Sequence, residues 1–569
     1  MNMNELFKLA INIGEAPMTN FFETHKSMLD KALETAQTRE YWSAFPEIPS
    51  GKIYGETAKT DGQTAFDGYL NNDFTMEGHP EEAKLGAEKS PYGLDLSISY
   101  PSASVETLVA ASKAAGKAWA KASIETRTGV CLEILSRLNK HSFEIGNAVM
   151  HTTGQAFIMA FQAGGPHAQD RGLEAVTYAY QEMTRTPAKA LWKKPAGKDN
   201  VDILEKTYRV VPKGVALEIA CATFPTWNGY PGLFASLVTG NSVIVKPHPK
   251  AILPLAISVE IARNVLTEAG FDANVLLLAA DTPDAPITKD LALNPDVKII
   301  GFTGSNAFGQ WLRDNAKQAD IYTEEAGVNS IVVASTDNFR GMCGNIGFSL
   351  SLYSGQMCTA PQNIYIPKDG IETDQGQKSF DDVANGIKAA IDGLLKDPAR
   401  AAGVCGAVSN DEIITRLGSH KNKGEVLRQS TAIEGLEDAR TATPLILKTD
   451  AKGNAHKEEC FGPISYVVAA ENISSAIEDA ANLATEKGAI TAAIYSTDEN
   501  TLDEAIDAFG DAGVNLSCNL TGGIFVNQSA AFSDFHVTGA NPAGNASLTD
   551  SAFVSKRFRI VATRKPVSE

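Results

Sequence analysis

The sequence predicts an α/β protein built around two buried parallel sheets. From residue 206 onward, apolar runs of four to eight residues alternate with helical patterns, an arrangement typical of βαβ units. The alternation occurs in two successive series that change over near residues 325–330, which indicates two α/β domains. Hydrophobic residues make up 43% and charged residues 21% of the 569 residues, an ordinary globular composition that excludes a largely disordered chain.

Helical segments precede the first strand series. Residues 21–38, 104–122, 125–150 and 171–184 carry apolar side chains at helical spacing. Residues 40–103 are rich in Gly, Pro, Asn and Asp, so we expect an irregular segment that wraps around the rest of the chain with few regular elements.

Each α/β series contains five predicted strands. The strands of the first series are 215–221, 242–246, 274–279, 297–302 and 330–334. Those of the second series are 363–366, 444–448, 465–469, 490–495 and 523–526. The helical patterns that separate these strands and supply the crossovers of a parallel sheet are 229–239, 251–268, 305–318, 379–395, 473–486 and 500–509.

Two further strand-like segments, 203–211 and 556–563, lie outside both series. Peripheral strands of this kind either pair with the sheet of a neighbouring subunit or form a hairpin within the chain, and the pattern leaves both arrangements open.

Charge and cysteine content restrict the partners and the compartment. Lys and Arg number 50 and Asp and Glu 68, a formal net charge of −18, so we expect neither nucleic acid nor a membrane surface as a partner. The seven cysteines include no C-x-x-C pair, which indicates a reducing compartment. Met1–Met18 lacks the features of a signal peptide, and no run reaches the ~18–20 apolar residues of a membrane span, so the predicted location is the cytoplasm. The histidines show no metal-binding spacing, and we expect no metal.

Two motifs at the carboxyl ends of predicted strands favour a phosphate-containing ligand. In GFTGS, Gly304 allows close backbone approach and Ser305 can cap the next helix, whose free N–H groups attract phosphate. In VIVKPHPK, Lys246 ends a strand at the edge where doubly wound sheets bind ligands. Taken alone, GFTGS could be a plain strand-to-helix turn, and Lys246 could be a solvated lysine at the end of a strand. The occurrence of both motifs in one chain favours a cofactor site.

Cys358, in SGQMCTAPQN, is the candidate nucleophile. It lies between small and polar residues just before a predicted strand, whereas most of the other cysteines are expected to be small buried hydrophobes. Glu325, in TEEAG at the end of the first series, is the candidate base for this thiol or for a water molecule.

Five motifs in order resemble the NAD(P)-dependent aldehyde dehydrogenase superfamily. They are PKGVALEIACATFP (212–225), VIVKP (243–247), GFTGS (301–305), EEAG (324–327) with GQMC (355–358), and EECFGP (458–463). The terminal stretches 39–62 and 526–553 further resemble the PaaN branch, which is linked to bacterial phenylacetic acid degradation.

The resemblance implies a fold and an assembly. It predicts an aldehyde-dehydrogenase-like α/β fold with two Rossmann-type parallel-sheet domains and a β oligomerisation arm. The expected parts are a wrapping segment with helices of the cofactor domain (1–202), the arm (203–211 with 554–569), the cofactor-binding domain (212–326), the catalytic domain (327–525) and a segment that returns to the active-site region (526–553). The expected assembly is a homodimer or a dimer of dimers.

The resemblance also assigns catalytic roles. Cys358 matches the nucleophile that forms a thiohemiacetal and then a thioester, and Glu325 matches the base that activates the hydrolytic water. Relatives usually place an Asn in W-N-F-P to form the oxyanion hole, but this chain has Thr223 at that position. Asn228, five residues on, is an alternative donor, and the sequence leaves the choice between the two open.

Cofactor roles follow in the same way. Lys246 matches the lysine at the adenosine ribose, and Gly304 and Ser305 match the turn below the pyrophosphate. Glu459 and Phe461 match the pair that positions the nicotinamide ribose and ring.

The residues after Lys246 bear on the choice of cofactor. NAD-preferring relatives often carry a Glu two residues after K-P, whereas this chain has Pro249 there, flanked by His248 and Lys250. Without a carboxylate at this position a 2′-phosphate is tolerated, so the pattern favours NADP over NAD.

The implied function is oxidation of an aldehyde to the carboxylic acid, with a semialdehyde of phenylacetate catabolism, free or CoA-linked, as the expected substrate. The alternatives are a CoA-acylating dehydrogenase and a catalytically weak cofactor-binding homologue. An aromatic or bulky acyl tail is expected because Phe157, Phe161, His167, Tyr178 and Tyr180 occur where the family lines its substrate tunnel, although core packing would also explain them.

Overall fold

A computed structural model of the chain describes residues 20–198, 200–325 and 327–567. The stretch Met1–Met18, considered above for a targeting signal, and Ala326 of the EEAG motif lie outside the described residues. Among the described helices, none is long and apolar enough to cross a membrane.

The first sheet has five parallel strands. Their spatial order is Leu276–Leu278, Ser242–Lys246, Val215–Ile219, Val297–Gly304 and Asp320–Glu325. The three central strands are almost continuously buried and apolar, as strands covered by helices on both faces should be. The crossover helices are Pro225–Val238, Leu253–Glu268, Thr288–Leu293 and Asn306–Asn315. All five carboxyl ends therefore meet at one edge, where ligands bind in such sheets.

The second sheet has seven strands. Their spatial order is Glu425–Arg428, Leu445–Asp450, Ile464–Ala470, Pro361–Pro367, Asn329–Val333, Thr491–Tyr495 and Asn515–Cys518. Only the first pair is antiparallel. The helices around this sheet are Phe339–Ser351, Phe380–Leu394, Pro398–Cys405, Asp411–His420, Ile473–Lys487 and Glu499–Asp511. The two sheets confirm the predicted α/β class with two parallel-sheet units. The assignment of strand 330–334 to the first series is wrong, because Asn329–Val333 lies in the second sheet and the first sheet ends with Asp320–Glu325, whose mostly polar sequence hid it from the pattern.

The N-terminal part contains more regular structure than predicted. Its helices are Phe21–Thr38, Gly51–Tyr54, Ala58–Tyr69, Val105–Trp119, Ile124–Lys140, Ser142–Thr153, Phe157–Gly164 and Pro166–Thr184. The expectation of an irregular segment over 40–103 is wrong for Ala58–Tyr69, and a short strand pair joins Ala83–Leu85 to Tyr100–Ser102. The helix Ala58–Tyr69 forms because Phe66 is fully buried and Gly62 allows close contact with Phe143, tertiary contacts that outweigh weak local propensity.

The peripheral strands form a separate antiparallel sheet of three strands. Val201–Pro212 lies at the centre, with Phe558–Pro566 on one side and Lys189–Pro195 on the other. The third strand was not predicted. We call this unit the arm sheet.

The strand predicted at 523–526 is wrong. These residues form a turn region in which Gly522 has a φ of +68° and Ile524 is 66% exposed. The last strand of the second sheet is instead Asn515–Cys518, whose mixed polar sequence hid it from the pattern. The segment after it runs back across the molecule, and residues 526–553 are called the returning segment below.

Candidate active site

The thiol of Cys358 lies on a tight loop in front of a buried strand. The loop follows the 3₁₀ turn Leu352–Gly355, and the Asn329 side-chain amide donates hydrogen bonds to the carbonyls of Cys358 (2.8 Å) and Ala360 (3.0 Å). Gly355 has a φ of +65°, and a side-chain carbon there would collide with the Gly462 carbonyl oxygen. The GQMC and EECFGP motifs therefore meet in space because a glycine permits the contact.

Glu324 is the carboxylate beside this thiol. Cys358 Sγ lies 3.2 Å from Glu324 Oε1, and Asn228 Nδ2 donates to Glu324 Oε2 at 2.8 Å. Glu324 is fully enclosed, with 3% of its surface exposed. A thiol donor and an amide donor thus occupy the two oxygens of one buried carboxylate.

Glu325, the residue predicted to face the thiol, points the other way. Its carboxylate pairs with Arg313 on the helix Asn306–Asn315 and lies against Gly309 of the same helix. Successive side chains of a strand point to opposite faces, so only one of two adjacent glutamates can reach Cys358. The expected location of Glu325 is therefore wrong by one residue, since the EE pair offered no signal as to which face is which.

His536, which the sequence reasoning did not single out, completes this cluster. Its Nε2 lies 2.8 Å from Glu324 Oε1 and 3.9 Å from Cys358 Sγ, and its ring meets that of Trp227 edge-on at 4.7 Å between centroids. A carboxylate oxygen of Glu324, the Sγ atom of Cys358 and an imidazole nitrogen of His536 all lie within 4.8 Å of one another. The only sequence signal was that the returning segment was expected near the active site.

The electrostatics of the cluster keep the proton on sulfur and the charge on the carboxylate. Burial raises the pKa of the Cys358 thiol well above its ordinary value, and the neighbouring Glu324 carboxylate adds to the rise. Burial also raises the pKa of Glu324, but the charge and hydrogen bond of His536, with hydrogen bonds from Cys358 and Asn228, outweigh it and leave that pKa lowered. The resting pair is therefore a thiol next to a base.

The two candidate oxyanion donors occupy different places. Asn228 is buried at the start of the helix Pro225–Val238 and lines the cavity that contains Cys358. The Thr223 carbonyl accepts a hydrogen bond from the Gln155 side chain at 2.8 Å, and Thr223 is not among the residues that line the cavity. The structure brings Asn228, and not Thr223, to the Glu324–Cys358 pair.

A cavity of about 760 Å³ opens onto the thiol. Its walls come from the N-terminal wrapping segment, the helix Phe157–Gly164, the thiol loop and the returning segment. The aromatic and methionine side chains that line it are Tyr41, Trp42, Met159, Phe224, Trp227, Phe348, Met357 and Phe525. The charged or titratable side chains in its described lining are Glu47, Asp170, Asp534, His167 and His536, with Glu324 behind them, and no lysine or arginine is among them.

The aromatic residues expected to line this cavity mostly do not. Of the five, only His167 does so, and it pairs with Glu47 at 2.7 Å. Phe161 is fully buried in the core, and Tyr178 accepts a hydrogen bond from Arg39 at 2.7 Å. Their helical spacing reflected packing between helices, because the cavity wall is formed by other faces and by remote loops.

The carboxyl edge of the first sheet carries the predicted adenosine-side residues. Lys246 is 2% exposed and its Nζ lies 2.7 Å from Oδ1 of Asp281, a buried acid just after the strand Leu276–Leu278 that the sequence reasoning did not weigh. Burial lowers the pKa of Lys246, and Asp281 opposes that shift. Burial, with Lys246 and Lys250 nearby, lowers the pKa of His248 to about 4, so its imidazole is neutral at pH 7.

The remaining predicted cofactor residues lie at the start of the helix Asn306–Asn315 and in the EECFGP loop. Ser305 Oγ caps the helix Asn306–Asn315, and the first residues of that helix are exposed. The Glu459 side chain is exposed to solvent. Protein packed around its carboxyl group raises the pKa of Glu459 to about 7, although the nearby Arg416 lowers it. Phe461 is half-buried, and its carbonyl accepts from Arg416 at 2.6 Å. A buried lysine and an open helix N-terminus after Gly304, both at this edge of the first sheet, fit a dinucleotide.

Fold and site together define a class of protein, a two-sheet α/β enzyme with a dinucleotide-type sheet edge beside a buried thiol–carboxylate pair. The pattern of the Aldehyde dehydrogenase family matches residues 98–534. The chain belongs to the aldehyde dehydrogenase family.

Individual relatives agree with this assignment and confirm the aldehyde-dehydrogenase-like fold. A crystal structure of an NAD-dependent aldehyde dehydrogenase from Burkholderia multivorans is 52% identical with a TM-score of 0.95, covering 97% of this chain and 100% of that one. A Thermus 1-pyrroline-5-carboxylate dehydrogenase with bound NAD shares the fold at 19% identity and a TM-score of 0.71, covering 93% and 99%. Lactaldehyde dehydrogenase of Methanococcus maripaludis (strain C7 / ATCC BAA-1331) is 24% identical over 54% of this chain, which spans 64%, under two thirds, of that relative.

Proposed function

We propose that this protein oxidises an aldehyde to the carboxylic acid with reduction of a nicotinamide cofactor, using Cys358 as the nucleophile and Glu324 as the base. The observation that carries the proposal is the 3.2 Å contact between Cys358 Sγ and Glu324 Oε1 at the end of an aldehyde-sized cavity. The base assigned by sequence, Glu325, is replaced in this proposal by its neighbour.

The chain's own residues carry the proton transfers. As Cys358 Sγ attacks the carbonyl carbon, its proton passes to Glu324, and the developing oxyanion is held by the Asn228 amide and the Cys358 backbone N–H. When bound, the cofactor accepts the hydride from the carbon attached to sulfur. The thioester that remains is hydrolysed by water, from which Glu324, once it has released its first proton, takes another.

The choice of cofactor depends on charge near Lys246. The sequence pattern favoured NADP, but the buried Asp281 carboxylate offsets the Lys246 charge and His248 is neutral at pH 7. A carboxylate at this position binds ribose hydroxyls and repels a 2′-phosphate. We therefore propose NAD as the preferred cofactor, and the 52% identical relative that is described as NAD-dependent supports this choice.

The cavity supports an aldehyde with an uncharged aromatic or bulky apolar tail. Its described walls are rich in aromatic and methionine side chains, and their charged members, Glu47, Asp170 and Asp534, repel anionic tails. Burial raises the pKa of Asp170 to about 7, so this carboxyl is partly neutral near pH 7. A CoA-linked tail, which carries phosphates, fits these walls less well than a neutral one.

We also propose that the protein belongs to the PaaN branch, and the composition of the cavity wall supports this proposal. Both stretches that resemble this branch, 39–62 and 526–553, contribute residues to the cavity wall, among them Trp42 and His536. Segments that mark a branch and also line the cavity are the expected place for substrate preference, so an aldehyde of aromatic catabolism is the substrate we propose.

The test is NAD(P)H formation with phenylacetaldehyde, a carboxylate-tailed semialdehyde, and each of these with added CoA. Cys358→Ala should abolish turnover. Glu324→Gln should give at most a single burst of cofactor reduction because thioester hydrolysis lacks its base, whereas Glu325→Gln, the same change one residue on, should keep turnover. Full activity of Cys358→Ala would refute the proposal, and acyl-CoA formed only when CoA is added would identify the acylating alternative.

A further inference from the structure

Glu324 is an unusual base because it is ionised although protein encloses it completely. A carboxylate without partners in such surroundings takes up a proton. Two of its three donors, the Cys358 thiol and the Asn228 amide, are neutral. The third donor is His536 Nε2 at 2.8 Å, and it is the largest of the influences that lower the pKa of Glu324.

We propose that His536 is a positioning residue for the proposed reaction, one that holds Glu324 as a carboxylate and aims Oε1 at the Cys358 thiol. Glu324 Oε1 accepts from both Cys358 Sγ and His536 Nε2, so the imidazole fixes the same oxygen that takes the thiol proton. In that transfer the S–H bond breaks, the O–H bond forms on Glu324, and His536 keeps its own proton.

His536 is itself held rigidly. Its backbone N–H donates to the Leu548 carbonyl at 3.0 Å, the Leu548 N–H returns a bond at 2.8 Å, and the Trp227 ring covers one side of the imidazole. With 3% of its surface exposed, His536 cannot turn toward solvent. The returning segment thus places a fixed hydrogen-bond donor in the site. The other residues of the site are Glu324 on a strand, Asn228 on a helix and Cys358 on a loop.

The titratable groups that face the cluster are few. They are Cys358 itself, Cys221 at the start of the loop before Asn228, Glu218 across a small cavity next to Glu324, and Asp534 on the cavity wall. Burial raises the pKa of Glu218 to about 8 and that of Cys221 to about 11, so both are mainly neutral at pH 7. Asp534 is itself an acid on the cavity wall and cannot replace the His536 donor.

The test compares His536→Gln with His536→Asn. The glutamine amide nitrogen reaches about as far as Nε2, whereas asparagine is too short to reach Glu324 Oε1. Without the donor, burial dominates and the pKa of Glu324 rises, so the base is lost over a wider acid range. The readouts are kcat/KM for the aldehyde against pH, and the rate of Cys358 alkylation by iodoacetamide against pH, followed on the Cys358 peptide by mass spectrometry.

We expect the acid limb of the kcat/KM profile to move up by at least about one pH unit in His536→Asn, a roughly tenfold loss on the acid side that is recovered at high pH. The alkylation profile should move in the opposite direction, because a protonated Glu324 no longer raises the pKa of the Cys358 thiol. His536→Gln should restore much of the wild-type profile. His25→Asn, which removes a comparable histidine–glutamate contact to Glu133 at 2.6 Å far from the cavity, should leave both profiles unchanged.

Two results would overturn the inference. One is a wild-type profile in His536→Asn, and the other is an equal loss at every pH in both variants, which a purely structural role would give. The inference rests on the role proposed for Glu324, but alkylation needs neither aldehyde nor cofactor. A protein that shows the alkylation shift and oxidises no aldehyde would therefore contradict the proposed function and leave the role of His536 intact.

Discussion

At the scale of single residues, the site depends on which of two chemically equal neighbours faces the thiol. Glu324 and Glu325 are adjacent and both are buried, yet one contacts Cys358 and the other pairs with Arg313. Of the two candidate oxyanion donors, Thr223 and Asn228, only Asn228 contacts the cluster. The residue types predicted a thiol nucleophile with a carboxylate base. The geometry of the strand and the loop decided which carboxylate contacts the thiol.

The oxyanion donor is the first residue-scale prediction. Asn228→Ala should lower kcat/KM by about 10²–10³-fold, the usual effect of removing one oxyanion donor. Thr223→Val, which removes a hydroxyl outside the cavity lining, should change kcat/KM by less than about tenfold. Steady-state kinetics of both variants at saturating cofactor measure the difference, and the reverse order would make Thr223 the donor.

Cofactor preference is the second residue-scale prediction. Asp281→Asn keeps the hydrogen-bonding shape beside Lys246 but removes the negative charge, so the ratio of kcat/KM for NADP to that for NAD should rise at least about tenfold. The measurement is the ratio in wild type, Asp281→Asn and Asp290→Asn, the last an acid on the nearby helix Thr288–Leu293. A wild type that already prefers NADP would refute the proposed NAD preference.

At the scale of elements, one helix anchors the returning segment. Arg171 and Glu174 on the helix Pro166–Thr184 form a fully buried pair 2.8 Å apart. Arg171 donates to Ser529 Oγ and the Asp534 carbonyl, and Glu174 accepts from the Phe532 N–H at 2.8 Å. The returning segment, which carries His536, is therefore held by hydrogen bonds to Arg171 and Glu174, two charged residues far from it in sequence.

Breaking this anchor should loosen the segment. Arg171→Met leaves Glu174 buried without its cation, which costs about 3–5 kcal/mol in the free energy of unfolding. Denaturant titration measures that cost, and faster amide hydrogen exchange in residues 526–553 locates it. Arg185→Met, at the residue that follows the same helix and whose side chain is 78% exposed, should alter neither quantity. Equal exchange in both variants would contradict the anchoring role.

At the scale of the whole molecule, the arm sheet is the surface that the single chain leaves uncovered. The strand Phe558–Pro566 is an edge strand, and after Phe558 every residue of it is exposed. Ile560 and Val561 are 40% and 49% exposed. Exposed apolar edge strands pair with other chains unless they are protected. We therefore propose a second copy of this chain as the partner, which keeps the homodimer or dimer of dimers expected from the sequence.

The assembly prediction follows. Val561→Lys should reduce the molar mass in solution from that of an oligomer to about that of one chain, because a charge cannot be buried unpaired between copies. Light scattering coupled to size exclusion measures this. Ile506→Lys, on the helix Glu499–Asp511 and 51% exposed, should leave the mass unchanged. A monomeric wild type would remove the proposal.

The sequence by itself determined the α/β class and most strands of the two series, and it singled out Cys358 and Lys246 as candidate site residues, because apolar periodicity and short motifs are local properties. Only the tertiary structure decided that Glu324 rather than Glu325 meets Cys358, that Asp281 lies on Lys246, and that His536 enters the site. Strand facing and contacts between residues some 180–210 positions apart depend on how the whole chain packs, and no local pattern records them.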